Sequence, residues 1–130
     1  MSYSYKESVA WFWEEVFNKG NFEPIDVLIA DNYTFNGEPV SKDSMKQWVT
    51  MLRTQLQGLH FTINDLLQDD CKVAVRWTLV GMDVTTKTEM TNAGTNILTF
   101  VDGKGISNWQ NGGTPQDLHP VKQAAPSAAA

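Results

Sequence analysis

Few side chains in this chain of 130 residues could move a proton or attack a carbon. A general acid or base needs an ionisable group held beside the reacting atoms and away from bulk water. Asp83 continues a strand face past Gly81 and can sit at a pocket mouth, a solvated turn being its other reading. Glu38 precedes Pro39 in a loop, His60 opens a strand and His119 lies near the end of the chain. Neither histidine has a sequence-adjacent partner to orient a nucleophile, and both read as exposed. Cys71 is the single cysteine; it lacks a nearby base to form a thiolate and a second thiol to form a disulfide or a zinc site. Tyr33 differs, because a phenol on a short apolar strand can donate to a ligand carbonyl or serve as a half-buried structural residue. With no ligand cluster and no phosphate-cradling loop beyond Gly112-Gly113, neither a metal nor an organic cofactor is expected.

Periodicity sets out the elements that hold these groups. Ser4 and Glu7 have capping-box spacing, and Tyr5, Val9, Phe12, Trp13, Val16 and Phe17 recur at helical intervals until Lys19-Gly20. Pro24 suits a first helical turn, so Ile25, Leu28 and Ile29 belong to a second helix running to about Ala30. Tyr33 to Phe35 reads as a brief strand. Ser41 caps a third helix with a stripe of Met45, Trp48, Val49, Leu52 and Leu56, ended by Gly58. Beyond it, His60 to Leu67, Lys72 to Asp83, Glu89 to Val101 and Gly105 to Asn111 are rich in branched and aromatic residues and predict an antiparallel sheet. Asp102-Gly103 is the strong hairpin signal and Asp69-Asp70 a weaker one. Residues 1–120 read as one α+β domain, and 121–130, with Pro126 and a run of alanines, as a flexible tail.

Alternation places Val73, Val75, Trp77 and Leu79 on the face toward the helices, with Ala74, Arg76, Thr78 and Val80 opposite. Asn92, Gly94, Asn96, Leu98 and Phe100 form one set on the next strand, and Ala93, Thr95, Ile97, Thr99 and Val101 the other. Neither face is cleanly polar, which predicts a second copy covering the outer one. Five tryptophans, six phenylalanines and five methionines serve a sheet with only three helices to cover it, a layout that can leave a hollow. Trp13, Phe17, Trp48 and Met51 are then either core or the wall of a pocket for an apolar small molecule. A net charge of −5 without a basic patch argues against nucleic acid. No window approaches the ~18 apolar residues of a membrane span, and Met1 to Tyr5 lacks a basic, apolar leader; a cytoplasmic location is expected.

Four stretches carry a resemblance. Asn18-Lys19-Gly20-Asn21-Phe22 through Ala30-Asp31-Asn32-Tyr33, then Leu59 to Leu66 with Val73 to Gly81, and finally Phe100-Val101-Asp102-Gly103-Lys104 through Trp109 are similar to SnoaL-like polyketide cyclases and ester cyclases of the NTF2-like superfamily. The resemblance covers roughly residues 8 to 111. It implies a cone-shaped α+β barrel, three N-terminal helices on a strongly curved, mostly antiparallel sheet, with a deep apolar pocket and commonly a homodimer.

Many enzymes of that group carry an acid/base carboxylate just after the tryptophan of the last strand, where this chain has Gln110. An amide cannot be a general base but can donate to a carbonyl or enolate oxygen. Gln110, at the place the resemblance picks out, Asn96 at mid-strand and Tyr33 through its own hydroxyl are the groups expected to stabilise charge on oxygen. The resemblance implies Phe35, Asn36, Val75, Trp77, Leu79, Leu98 and Asn108 as further pocket wall beside Trp13, Phe17, Trp48 and Met51. The arginine and aspartate by which related epoxide hydrolases hold a water are replaced by Trp77 and Leu79, which disfavours that hydrolysis. The expected activity is cyclisation or isomerisation of a polyketide- or terpenoid-type compound, the alternative being a protein that only binds such a molecule.

Overall fold

Val73, Val75, Trp77 and Leu79 are all buried, while their strand neighbours Lys72 and Arg76 are exposed, so the predicted inner face is the real one. That alternation is the reason these residues extend: a period of two lets branched and aromatic side chains cover one face of a sheet. The computed structural model describes residues 4–121; of the tail expected at 121–130, residues 122–130 lie outside them.

Helix α1 spans Tyr5–Phe12 and passes without a break into a π-helical segment, Trp13–Asn18. Helix α2 covers Glu23–Leu28, strand β1 Ile29–Phe35 and strand β2 Glu38–Pro39, and helix α3 runs Lys42–Gln55. Strands β3 (Leu56–Asp69), β4 (Lys72–Asp83), β5 (Glu89–Val101) and β6 (Lys104–Gly112) follow, then a 3₁₀ turn at Pro115–Asp117 and the short strand β7, His119–Pro120. The sheet order is β2-β1-β6-β5-β4-β3, with β7 added beside β5. All pairings are antiparallel except β1 with β6, and β2 and β3 are the two ends of an unclosed, curved, mixed sheet. This α+β architecture agrees with the one expected.

Several boundaries differ from the periodic reading. The Ser4 side chain makes no cap hydrogen bond, so the Ser4/Glu7 box does not form. Past Phe12 the first helix widens, and Arg53 Nη1 donates to the carbonyls of Phe17 (2.6 Å) and Asn18 (2.9 Å) where it ends. Extra width in a helical turn shifts which side chains face inward; here Trp13, Val16 and Phe17 are the buried ones. The second helix stops at Leu28, because Ile29 already pairs with Gly105 of β6. Ser41 caps α3 as predicted, accepting from the Ser44 amide at 3.0 Å. That helix ends at Gln55, since Leu56 is extended and pairs with Asp83; Gly58, at φ +68, sits instead where the β3–β4 register slips.

Only Val49 of α3 is fully buried, with Met45 and Leu52 partly so. Trp48 and Met51 are about half exposed, at 47% and 54%. An amphipathic helix whose apolar stripe stays partly uncovered is spanning a space, not packing against a floor. Among the described residues, no helix is long and apolar enough to cross a membrane.

Candidate functional site

Beneath α3 lies a cavity of about 630 Å³. Its walls are mainly aromatic and aliphatic side chains from the first helical segment, α3 and the inner faces of β4 and β5. Trp13 and Phe17 come from the π-helical turn, and Trp48 and Met51 from α3. Phe17 meets Trp48 edge-on at 6.0 Å and tilts against Phe61 at 4.6 Å, which in turn meets Trp77 at 5.0 Å. A continuous aromatic wall therefore runs from the half-exposed Trp48 to the buried Trp77, and such rings offer flat, weakly directional contact to a planar ligand.

The deep end is polar but uncharged. Trp77 Nε1 donates to Asn96 Oδ1 at 2.6 Å, and Asn96 Nδ2 donates to Asn108 Oδ1 at 2.9 Å and to Gln110 Oε1 at 3.2 Å. Gln110 Nε2 donates to the Gly112 and Gly113 carbonyls at 3.0 and 3.3 Å. Asn36 Oδ1 accepts from the Gln110 backbone N–H at 2.7 Å, which locks β6 to the turn after β1. Adjacent antiparallel positions bring these amides together, because Asn96 faces Gln110 and Asn108 is the partner of Leu98. Their mutual bonds offset the cost of burying polar groups in apolar surroundings.

Tyr33, from β1, is buried against this network, and burial pushes its phenol up to about 12 while a hydrogen bond from Asn108 pulls the other way. The hydroxyl therefore stays protonated across the neutral range.

The Trp77 ring lies against bare backbone at two glycines. A Cβ on Gly94 would lie 2.5 Å from Trp77 Cζ2, and one on Gly113, at φ +69, would overlap the same ring.

Tyr33, Asn96, Gln110, Trp13, Phe17, Phe35, Asn36, Trp48, Met51, Trp77, Leu79, Leu98 and Asn108 all border the cavity. Val75 does not: it shares the inner face but is fully buried in the packed core, so it is corrected from wall to core. Asn92 and Phe100, which alternation grouped with Asn96, and Phe61 border the cavity too, although none was assigned to the wall. Thr114, Pro115 and Leu118 also contribute, with Asn92 Nδ2 donating to the Thr114 carbonyl at 3.0 Å; lying past the last long strand, they have no periodicity to reveal them.

Asp83 is the one carboxylate bordering the cavity among the described residues. It is half-buried at the end of β4, and its Oδ1 accepts from the amides of Thr85 (2.8 Å) and Thr86 (3.0 Å), so it also organises the turn. Glu38, His60 and His119 are exposed and are not among the residues that border this cavity. Arg76 points outward, to Asp65 at 2.6 Å. No three histidine, cysteine or acidic side chains come together as a metal-binding group among the described residues.

The model of the SnoaL-like polyketide cyclase family matches residues 7–112. The chain belongs to that family. No curated protein matches this SnoaL-like chain in sequence. Among solved structures it is similar to a candidate polyketide cyclase from Acidithiobacillus ferrooxidans, with 24% identity, a TM-score of 0.74, and 90% of this chain and 94% of that one covered. TsrD from Streptomyces laurentii aligns at a TM-score of 0.75 with 18% identity over 85% and 88% of the two chains. A SnoaL-like polyketide cyclase from Agrobacterium tumefaciens aligns at 0.73 with 13% identity over 86% and 93%. At these identities the likeness is one of fold, and the chemistry of this SnoaL-like site rests on its own residues.

Proposed function

We propose that the protein is a cyclase or isomerase for a mostly apolar, carbonyl-bearing small molecule of polyketide or terpenoid type. The observation that carries this reading is a cavity of about 630 Å³ with a neutral, hydrogen-bonded amide floor and a protonated tyrosine beside it. That volume lies in the range of pockets that enclose a drug-sized molecule. Holding a flexible chain in a reactive shape lowers a cyclisation barrier by several kcal/mol without any ionisable side chain. A donor aimed at a developing oxyanion in a water-poor site adds electrostatic stabilisation. In this reading Tyr33 meets the substrate oxygen, Asn96 and Gln110 form the frame that holds it, and the aromatic wall folds the carbon skeleton. The membership in a cyclase family supports it.

Native mass spectrometry across a library of carbonyl-bearing polyketides and terpenoids, followed by chromatography of the released compound, tests the proposal. An enzyme releases a new isomer, and Gln110→Ala and Gln110→Glu change its rate. Return of the ligand unchanged supports the alternative, a protein that sequesters or presents such a molecule.

We further propose that the outer face of the sheet pairs with a second copy. Leu67, Ala74, Ile97 and Trp109 are consecutive cross-strand partners and form one apolar row across β3 to β6. Polar rows flank it, Asp65–Arg76–Thr95–Asn111 on one side and Asp69–Lys72–Thr99–Ser107 on the other. A two-fold axis through such a row sets like against like, as an isologous interface requires.

A further inference from the structure

We infer that Arg53, which is not itself among the residues bordering the cavity, is the positioning residue for its aromatic wall. Through that wall it gives the site a preference for flat, fused rings over saturated cages of the same carbon number. The inference rests on the cavity being a ligand site and names the ring type that its wall selects.

Helix α3 cannot be held in place by packing alone. Met45, Trp48, Met51 and Leu52 all border the cavity, and Val49 is the one fully buried residue of the helix. A helix with a hollow beneath it lacks the close contacts that fix a core helix. Polar ties take their place. Toward the start of α3, Lys46 meets Asp26 at 2.8 Å, a solvent-exposed ion pair of the kind that holds little. In the last turn Arg53 is half-buried, and one nitrogen, Nη1, donates to both the Phe17 and the Asn18 carbonyl, at 2.6 and 2.9 Å. These are end carbonyls of the π-helical segment, where no further turn supplies donors and the helix dipole favours a cation. The bare backbone of Gly20 admits the guanidinium, since a Cβ there would lie 2.9 Å from Arg53 Nε.

Phe17, whose carbonyl Arg53 grips, is the hub of the wall. Its ring meets Trp13 at 5.4 Å and Phe12 at 6.0 Å, besides Trp48 of α3 and Phe61 of β3. Asn18 anchors the same turn to the sheet: its Oδ1 accepts from the Phe61 N–H at 2.7 Å and its Nδ2 donates to the Phe61 carbonyl at 3.0 Å. Arg53 thus ties α3 to a turn that Asn18 ties to β3. Rings fixed in this way offer a planar ligand contact over its whole face, and a cage contact over only a small part of its surface. Without the Arg53 bonds, α3 and the end of the π-helical segment are free to part, and the wall breaks at the Phe17–Trp48 contact.

The test uses the full chain with 2-naphthol and 1-adamantanol, ten-carbon alcohols that are uncharged at neutral pH and differ in shape. Isothermal titration calorimetry should show the native chain binding naphthol about tenfold tighter than adamantanol. Arg53→Met keeps the length of the side chain without its donors and should bring the two affinities within about twofold of each other. Gly20→Ala drives the guanidinium aside with residue 53 unchanged, should lower the ratio likewise, and decides the matter if Arg53→Met does not fold. Val73→Ala removes buried volume at a residue that does not border the cavity. It should lower the urea midpoint and leave the ratio intact, which separates positioning from loss of stability. Equal affinities in the native chain, a ratio that survives the loss of the Arg53 contacts, or a ratio lost equally in Val73→Ala overturns the inference and leaves the cavity reading standing. Failure of both alcohols to bind the native chain overturns that reading and the inference with it.

Discussion

The indole N–H of Trp77 donates to Asn96 Oδ1 over 2.6 Å at the deep end of an otherwise apolar cavity. Asn96 is only 2% exposed and bonds three side chains at once, which makes it the junction of the polar network. Replacing it by leucine keeps the volume and strands the indole donor and two amide oxygens. Asn96→Leu should cost about 1–3 kcal/mol. Urea denaturation measures the loss, and an unchanged midpoint would show that the network contributes nothing to stability.

Gly94→Ala adds one methyl against the Trp77 ring at a contact of 2.5 Å. The ring must move, and its bond to Asn96 lengthens as it does. Overpacking of this kind should destabilise by about 1–3 kcal/mol. The near-ultraviolet circular dichroism of the buried tryptophan should weaken in parallel, a change that a purely backbone effect would not produce.

Tyr33 links stability to alkaline pH. Its phenol is raised from an ordinary value of 10 to about 12 in the folded chain, chiefly by burial. Below pH 10 both states keep the proton and the contribution is complete. Between about 10 and 12 the unfolded chain releases it while the native chain holds it, so stability falls as pH rises. The loss amounts to about 2–3 kcal/mol. Urea midpoints of the native chain and Tyr33→Phe, compared across that window, should converge as the native chain loses this increment; parallel curves would contradict the assignment.

Ile97 lies in the middle of the apolar row on the outer sheet face and is 45% exposed. A buried lysine at that position would be left unpaired in an interface between copies. Sedimentation velocity should find a dimer for the native chain and a monomer for Ile97→Lys, with the urea midpoint of the separated chain little altered. A native chain that sediments as a monomer at tens of micromolar would remove the interface.

The bounds of β4 and β5 were legible residue for residue, because long runs of strict alternation leave no other register that buries Val73, Trp77 and Leu98 together. The start of β1 was not. Ile29 reads as a helix end from its neighbours, and only its pairing with Gly105, far along the chain, makes it extended. Strand β2 has two residues and no periodicity, although Asn36-Gly37 before it is a hairpin signal that sequence reasoning passed over.

Alternation grouped Trp77 with Leu79 and Asn96 with Leu98, and all four border the cavity. Val75 was misassigned because alternation gives the face and not the depth along the strand at which the core closes. The direction of each amide was beyond reach, since spacing places Asn96 near Asn108 without saying which end of one meets which end of the other. Trp77 and its donor-only nitrogen decide that, and they act through contacts made only when β4, β5 and β6 are side by side.

The central claim is an accessible apolar interior, and binding of the neutral fluorophore N-phenyl-1-naphthylamine tests it most directly. The native chain should bind one equivalent saturably with enhanced emission. Leu98→Trp, which fills the cavity from β5, should abolish that signal while keeping the fold by circular dichroism. Absence of saturable binding to the native chain, or equal binding to the filled variant, would contradict the account.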